Sequence, residues 1–145
     1  MAKHKKQVWL IFTYGLLLSL LGCATVKEGV WSITGISIKE LESDRKSAIL
    51  KTFSGDYFSC YTKTLDSLKK MGAYVYAEDV KKKMIAIYVS QDDTTPVGFF
   101  FKEIDQSNTQ IEVSSPSAYA KQYFADKLAT FFNKVEETKK TTEQK

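Results

Sequence analysis

Apolar residues along this chain change their spacing several times, and each change marks an element. Residues 8–21, VWLIFTYGLLLSLL, form an almost unbroken apolar run, and residues 24–36, ATVKEGVWSITGI, follow with no clear period. Ser37 with Glu40 three residues on has the form of a capping box. Ile38, Leu41, Ile49 and Phe53 can then share one helical face across the polar Ser43–Lys46 stretch, which predicts a helix over 38–52. Ser54-Gly55-Asp56 breaks that run. Asp56 suits an N-cap, Tyr57, Phe58, Tyr61, Leu65, Leu68 and Met71 recur at helical spacing, and Gly72 suits the C′ position, so a second helix is expected over 57–71.

Four short runs with strand character come next: Ala73–Glu78, Met84–Ser90, Val97–Ile104 and Thr109–Ser114. The links between them are short and polar, as in an antiparallel meander. Ser115 as N-cap and Pro116 at the first helical position open a last helix. Its apolar stripe is Tyr119, Tyr123, Phe124, Leu128, Phe131, Phe132 and Val135. The expected fold class is α+β: a four-stranded antiparallel meander sheet flanked by N-terminal helices and a C-terminal helix. One domain is expected over 37–137, followed by a polar, frayed tail over 138–145.

The first 22 residues read differently from the rest. MAKHKKQ is short and basic, and the apolar run after it has 14 residues, fewer than the roughly 20 that span a bilayer as a helix. Leu20-Leu21-Gly22-Cys23 resembles a bacterial lipobox, with Leu21 larger than the usual small residue. The resemblance implies cleavage between Gly22 and Cys23 and a lipid on the Cys23 sulfur, with 23–36 as a tether. Two acyl chains are the number needed for stable anchoring. In the resemblance to enterobacterial lipoproteins, Ala24, a residue other than Asp, implies sorting to the periplasmic face of the outer membrane; in a single-membrane cell the anchor would be the outer face of the plasma membrane.

Composition modifies this picture in two places. The formal charge of +4 includes Lys3, Lys5 and Lys6, all inside the segment expected to be removed, which leaves 18 basic against 17 acidic residues. A nearly neutral domain exerts no general pull on nucleic acid. The single histidine, His4, also lies in that segment, so Ser-His-Asp, Cys-His and His-metal chemistry are absent from the mature chain.

The remaining candidates each have a plain structural reading. Cys60, inside the 57–71 helix, reads as a core thiol rather than a nucleophile. Asp92-Asp93-Thr94-Thr95 reads as a solvated turn rather than a cation loop. Asp126 with Glu136 and Glu137, or Glu78 with Asp79, read as surface charges rather than acid–base pairs. Lys81-Lys82-Lys83, with Lys69 and Lys70, reads as a lysine-blunted hairpin, or else as a patch for anionic head groups or cell-wall carboxylates. No catalytic residue, metal ligand or cofactor is expected.

Alternation along the strands places Val75, Ile85, Ile87, Val89, Phe99, Phe101 (or its neighbour Phe100), Ile111 and Val113 on one face. Tyr74, Tyr76, Met84 and Tyr88 point the other way. That tyrosine-rich face is either covered by Trp31, Ile33 or the 38–52 helix, or it is a binding face formed by Tyr74, Tyr76 and Tyr88.

GISIKELESDRKSA (35–48), AYVYAEDVKKKMIAIYVS (73–90), TTPVGFFF (94–101) and TQIEVSSPSAYAK (109–121) together are similar to a family of small bacterial envelope lipoproteins, domains of unknown function. The resemblance implies lipid anchoring and a helix-flanked sheet, and it brings no site residues. Three functions follow as expectations. The first is a non-catalytic binding or assembly module held at the membrane, with an envelope protein or cell-wall partner. The second is a carrier or sensor of a small apolar or lipid-like ligand. The third is an enzyme using carboxylate, lysine or cysteine chemistry.

Overall fold

The computed structural model describes residues 37–143, with side chains to Val135. Residues 1–36, and with them the expected signal segment, Cys23 and the expected tether with Trp31 and Ile33, lie outside the described residues. The elements are a helical segment over 37–43 (α1), a 3-10 turn Asp44–Ser47, β1 (Ile49–Ser54), α2 (Tyr57–Lys70), β2 (Tyr74–Asp79), β3 (Met84–Tyr88), β4 (Pro96–Asp105), β5 (Asn108–Ser114) and α3 (Ala118–Glu143). α3 therefore enters the stretch expected to be frayed.

The fold is α+β, but the sheet has five strands, in the order β1-β5-β4-β3-β2. β2 to β5 form the expected meander, and β1 is the correction. Ile49–Ser54 is not the end of a helix over 38–52: it pairs antiparallel with β5, from Ile49 opposite Val113 to Ser54 opposite Asn108. Helical geometry stops at the 3-10 turn, and Ala48 is already extended. The alternation Ile49, Lys51, Phe53 against Leu50, Thr52, Ser54 then puts the larger buried group, Phe53, on the core face. Pairing satisfies backbone groups along β5 that a helix would leave at an open edge. Ser37 is itself helical, and its hydroxyl meets the Tyr76 phenol at 2.7 Å.

α2 forms where its spacing predicts. The Asp56 carboxylate accepts from Ser59 N–H at 3.0 Å, and Gly72 takes φ +75° beyond the last turn, a conformation that suits glycine. Its Phe58, expected in the apolar stripe, instead points outward and is 71% exposed. α3 begins later than expected. Ser117 caps it by accepting from Ala120 N–H, while the Ser115 hydroxyl donates to the Pro96 carbonyl at 2.7 Å and ties the helix entry to β4.

The main core lies between the sheet and α2 and α3. Ile85, Ile87, Val97, Phe99, Phe101, Ile111 and Val113 face Leu68, Phe124, Leu128 and Phe132, with Phe53 packed on Phe132 at 4.1 Å between ring centres. On the other face a smaller core joins Leu41 of α1 to Met84, Ala86 and Phe100. Phe101 therefore belongs to the main core and Phe100 to the outer face. Gly98 makes this layer possible, since a Cβ there would lie 3.2 Å from Leu41 Cδ1. Arg45 closes the layer, pairing with Glu112 at 2.7 Å and lying over the Phe100 ring.

Candidate functional site

The outer face of the sheet carries a row of tyrosines on β2 and β3. Tyr76 and Tyr88 stack at 4.2 Å, and Tyr74 continues the row at 6.3 Å from Tyr88. Tyr76 is half-buried against the small Leu41–Met84 core, and its hydroxyl meets Ser37 of α1, the short helix that stands in place of the expected 38–52 helix. Tyr74 stays 47% exposed at the edge strand. Tyr74, Tyr76 and Tyr88 are thus a ladder that meets α1 at Tyr76.

A concave site lies on the opposite side of the sheet, at the head of α3. It is a cleft of about 410 Å³. Val89, Ser90, Asp93 and Thr95 from the β3–β4 loop line one wall, and Ser117, Tyr119, Ala120 and Tyr123 line the other. Met71, at the end of α2, and Phe124 complete it.

Each wall is held by local hydrogen bonds. In the loop, Val89 N–H donates to the Thr95 carbonyl, Ser90 N–H to the Asp93 carbonyl, and the Ser90 hydroxyl oxygen accepts from Asp92 and Asp93 N–H. Asp93 accepts from Thr95 N–H at 3.0 Å. Hydrogen bonds from the Thr95 side chain and backbone hold the Asp93 carboxyl below the usual aspartate range, so it is ionised at neutral pH. On the helix wall Ser117 is the N-cap.

Tyr119 and Tyr123 were expected in the buried stripe of α3. They are 80% and 39% exposed. At 3.6 residues per turn they sit roughly 140° and 100° round the helix from Phe124, too far to reach the core that Phe124, Leu128 and Phe132 fill. Their rings lie nearly parallel, 21° apart, with centres 6.3 Å apart. The sequence signal for this was available: the seven-residue stripe is too wide for one buried face.

The other candidates resolve locally. Cys60 is fully buried, with Sγ 3.6 Å from the Gly55 carbonyl. Glu78 and Asp79 diverge: Glu78 accepts from the Tyr61 hydroxyl, and Asp79 from Lys82 N–H in the hairpin. Asp126 lies beside Lys51 at 3.7 Å and accepts from Gln122. The lysine cluster is dispersed, with Lys82 facing Glu42, Lys83 on Glu103 and over the Tyr57 ring, and Lys70 over Phe131. Among the described residues no group of three or more His, Cys, Asp or Glu side chains is placed to hold a metal ion, and no helix is long and apolar enough to cross a membrane.

Comparison of the chain with protein-family models and with curated proteins gives no match.

Proposed function

We propose that this protein is a lipid-anchored, non-catalytic binding module of the bacterial envelope, and that it binds through the cleft between α3 and the β3–β4 loop. The observation that carries the binding site is the Tyr119–Tyr123 pair, two large rings left beside a concave wall when the core of α3 is already complete. Tyrosine supplies contact area together with a polar tip and is favoured where partners meet. The cleft's polar groups support binding over catalysis. Ser90, Ser117 and Asp93 each accept hydrogen bonds from backbone N–H groups that build the loop and cap the helix. Their first role is to hold a preformed shape. The anchor rests on the sequence of residues 1–23.

Amide hydrogen exchange on the full chain, with and without isolated envelope fragments, tests this reading. Slowed exchange confined to residues 88–96 and 117–124 is the expected result. Unchanged exchange in both segments contradicts it.

A further inference from the structure

We propose that the outward face of α2 and α3 rests on the acidic phospholipid head groups of the bilayer that carries the anchor. The inference rests on the lipid-anchored reading above, leaves the cleft's ligand aside, and says which face of the domain meets the membrane.

Charge is divided unevenly between the layers. α2 and α3 as far as Val135 carry six lysines against two carboxylates, Asp66 and Asp126. The other residues from Ser37 to Val135 include eight basic and eleven acidic ones, so the helical layer is positive and the remainder negative. One of the two helix carboxylates is also turned aside, since Asp126 lies 3.7 Å from Lys51 of β1.

Three of the lysines stand over rings. Lys63 Nζ lies 5.4 Å from the centre of the Phe132 ring, Lys70 Nζ 4.9 Å from that of Phe131, and Lys127 Nζ 5.7 Å from that of Tyr123. A ring holds the ammonium and its alkyl stem in place but, unlike a carboxylate, leaves the charge uncancelled. The lysine ion pairs among the described residues use Lys51, Lys82 and Lys83 instead. Positions 63 and 70 are two turns apart, roughly 10 Å along α2, and Lys127 projects from the neighbouring helix. Neither helix holds an arginine, whose fork would grip a single phosphate. Spread point charges of this kind suit an array of head groups better than one anion, and each lysine held near an acidic leaflet adds to the attraction.

The anchor supplies the bilayer but does not choose the face. Fourteen residues, 23–36, separate the expected lipid from Ser37. As an extended chain they allow about 45–50 Å, against a radius of gyration of about 13 Å for a domain of this size. The choice of face is then left to charge, and the positive layer is the one an acidic surface attracts.

Lysine footprinting tests the proposal on the full lipid-anchored chain, reconstituted in phosphatidylcholine vesicles with and without phosphatidylglycerol. A water-soluble acetylating reagent labels the lysines, and mass spectrometry reads each site. Labelling of Lys63, Lys70 and Lys127 is expected to slow on the phosphatidylglycerol vesicles alone. Lys39 and Lys102, exposed on the other side of the sheet, should label equally on both. The slowing should disappear in about 1 M salt, where charge is screened beyond about 3 Å. Lys63→Gln, Lys70→Gln and Lys127→Gln are each expected to lower the docked-to-undocked ratio about fivefold. In the triple variant Lys69 should label alike on the two kinds of vesicle. Equal labelling of the parent's three lysines on both vesicles overturns the proposal. So does slowing that neutral vesicles or inorganic phosphate alone reproduce, or slowing at Lys69 that survives the triple change. If the protein still floats with both kinds of vesicle in that event, the docking face falls while the anchored reading stands.

Discussion

The phenolic hydroxyl of Tyr61 on α2 meets the carboxylate of Glu78 on β2 at 3.2 Å because β2 carries one extra residue. Val75 pairs with Ile87 and Ala77 with Ala86, so Tyr76 is the bulged position. Beyond it every side chain changes face, and Glu78, opposite Ile85, turns toward α2 instead of toward α1. The strand thereby keeps Tyr74 and Tyr76 on the outer face and still delivers a carboxylate to the helix side. Tyr61→Phe is expected to lower unfolding free energy by about 0.5–1 kcal/mol, the low end for a hydrogen bond whose acceptor reaches solvent. Urea unfolding of Tyr61→Phe, Glu78→Gln and the double variant checks it, and the double variant should cost no more than either single one by more than a few tenths.

Gly98 is where the outer layer is most exposed to a small change. A Cβ added there would stand 2.9 Å from Phe100 Cε2 and 3.3 Å from Leu41 Cβ. Gly98→Ala is expected to cost about 1–3 kcal/mol, as overpacking does. The backbone near Leu41 should also become easier to cleave, since Leu41 and the Ser114 bond to its carbonyl at 2.7 Å hold α1 down. Limited proteolysis alongside thermal unfolding measures both effects.

Alkaline pH should loosen the fold through its tyrosines. Burial raises Tyr57, Tyr61 and Tyr76 above their ordinary value of 10.0, with the charge of Glu78 adding to the effect at Tyr61. In the unfolded chain these phenols ionise at the ordinary value, while the folded chain keeps them protonated. Their contribution is complete below pH 10 and declines as pH rises above it. Urea midpoints measured from pH 8 to 11 should fall at the upper end, and by less in Tyr61→Phe.

At the acid end the sign reverses. Hydrogen bonds lower Asp56 (from Ser59), Asp93 (from Thr95) and Asp105 (from the Asn108 side chain and Ser107 N–H) below the ordinary value of 3.8. The unfolded chain binds protons first, so stability is present above that value and declines as pH falls through the lower, folded ones. Asp105→Ala, which loosens the β4–β5 turn, should reduce stability at neutral pH. The difference from the parent should vanish well below pH 3.8. Thermal unfolding across that range measures it.

Elements whose signals are local were legible in the sequence. α2 carries its cap at Asp56 and its stop at Gly72, and β3 to β5 alternate cleanly between polar links. β1 was not legible, because Ile49 and Phe53 fit a helical face as well as a strand face, and the deciding partner, β5, lies some sixty residues away. The cleft was hidden for a related reason. Tyr119 and Tyr123 are as apolar in pattern as Phe124 and Leu128, and only the width of the helical arc sets them apart. Asp93 and Thr95 gave a turn signal, which was correct but silent about what the turn would face, and Ser90 read as the end of a strand that stops at Tyr88.

Intact-mass measurement of the protein extracted from bacterial membranes tests the anchored-module account most directly. The account predicts a chain that begins at Cys23 and carries acyl mass on that residue, and it predicts that Cys23→Ser abolishes both features and releases the protein from the membrane pellet. An unmodified chain retaining residues 1–22, or a Cys23→Ser variant processed and pelleted like the parent, would contradict it.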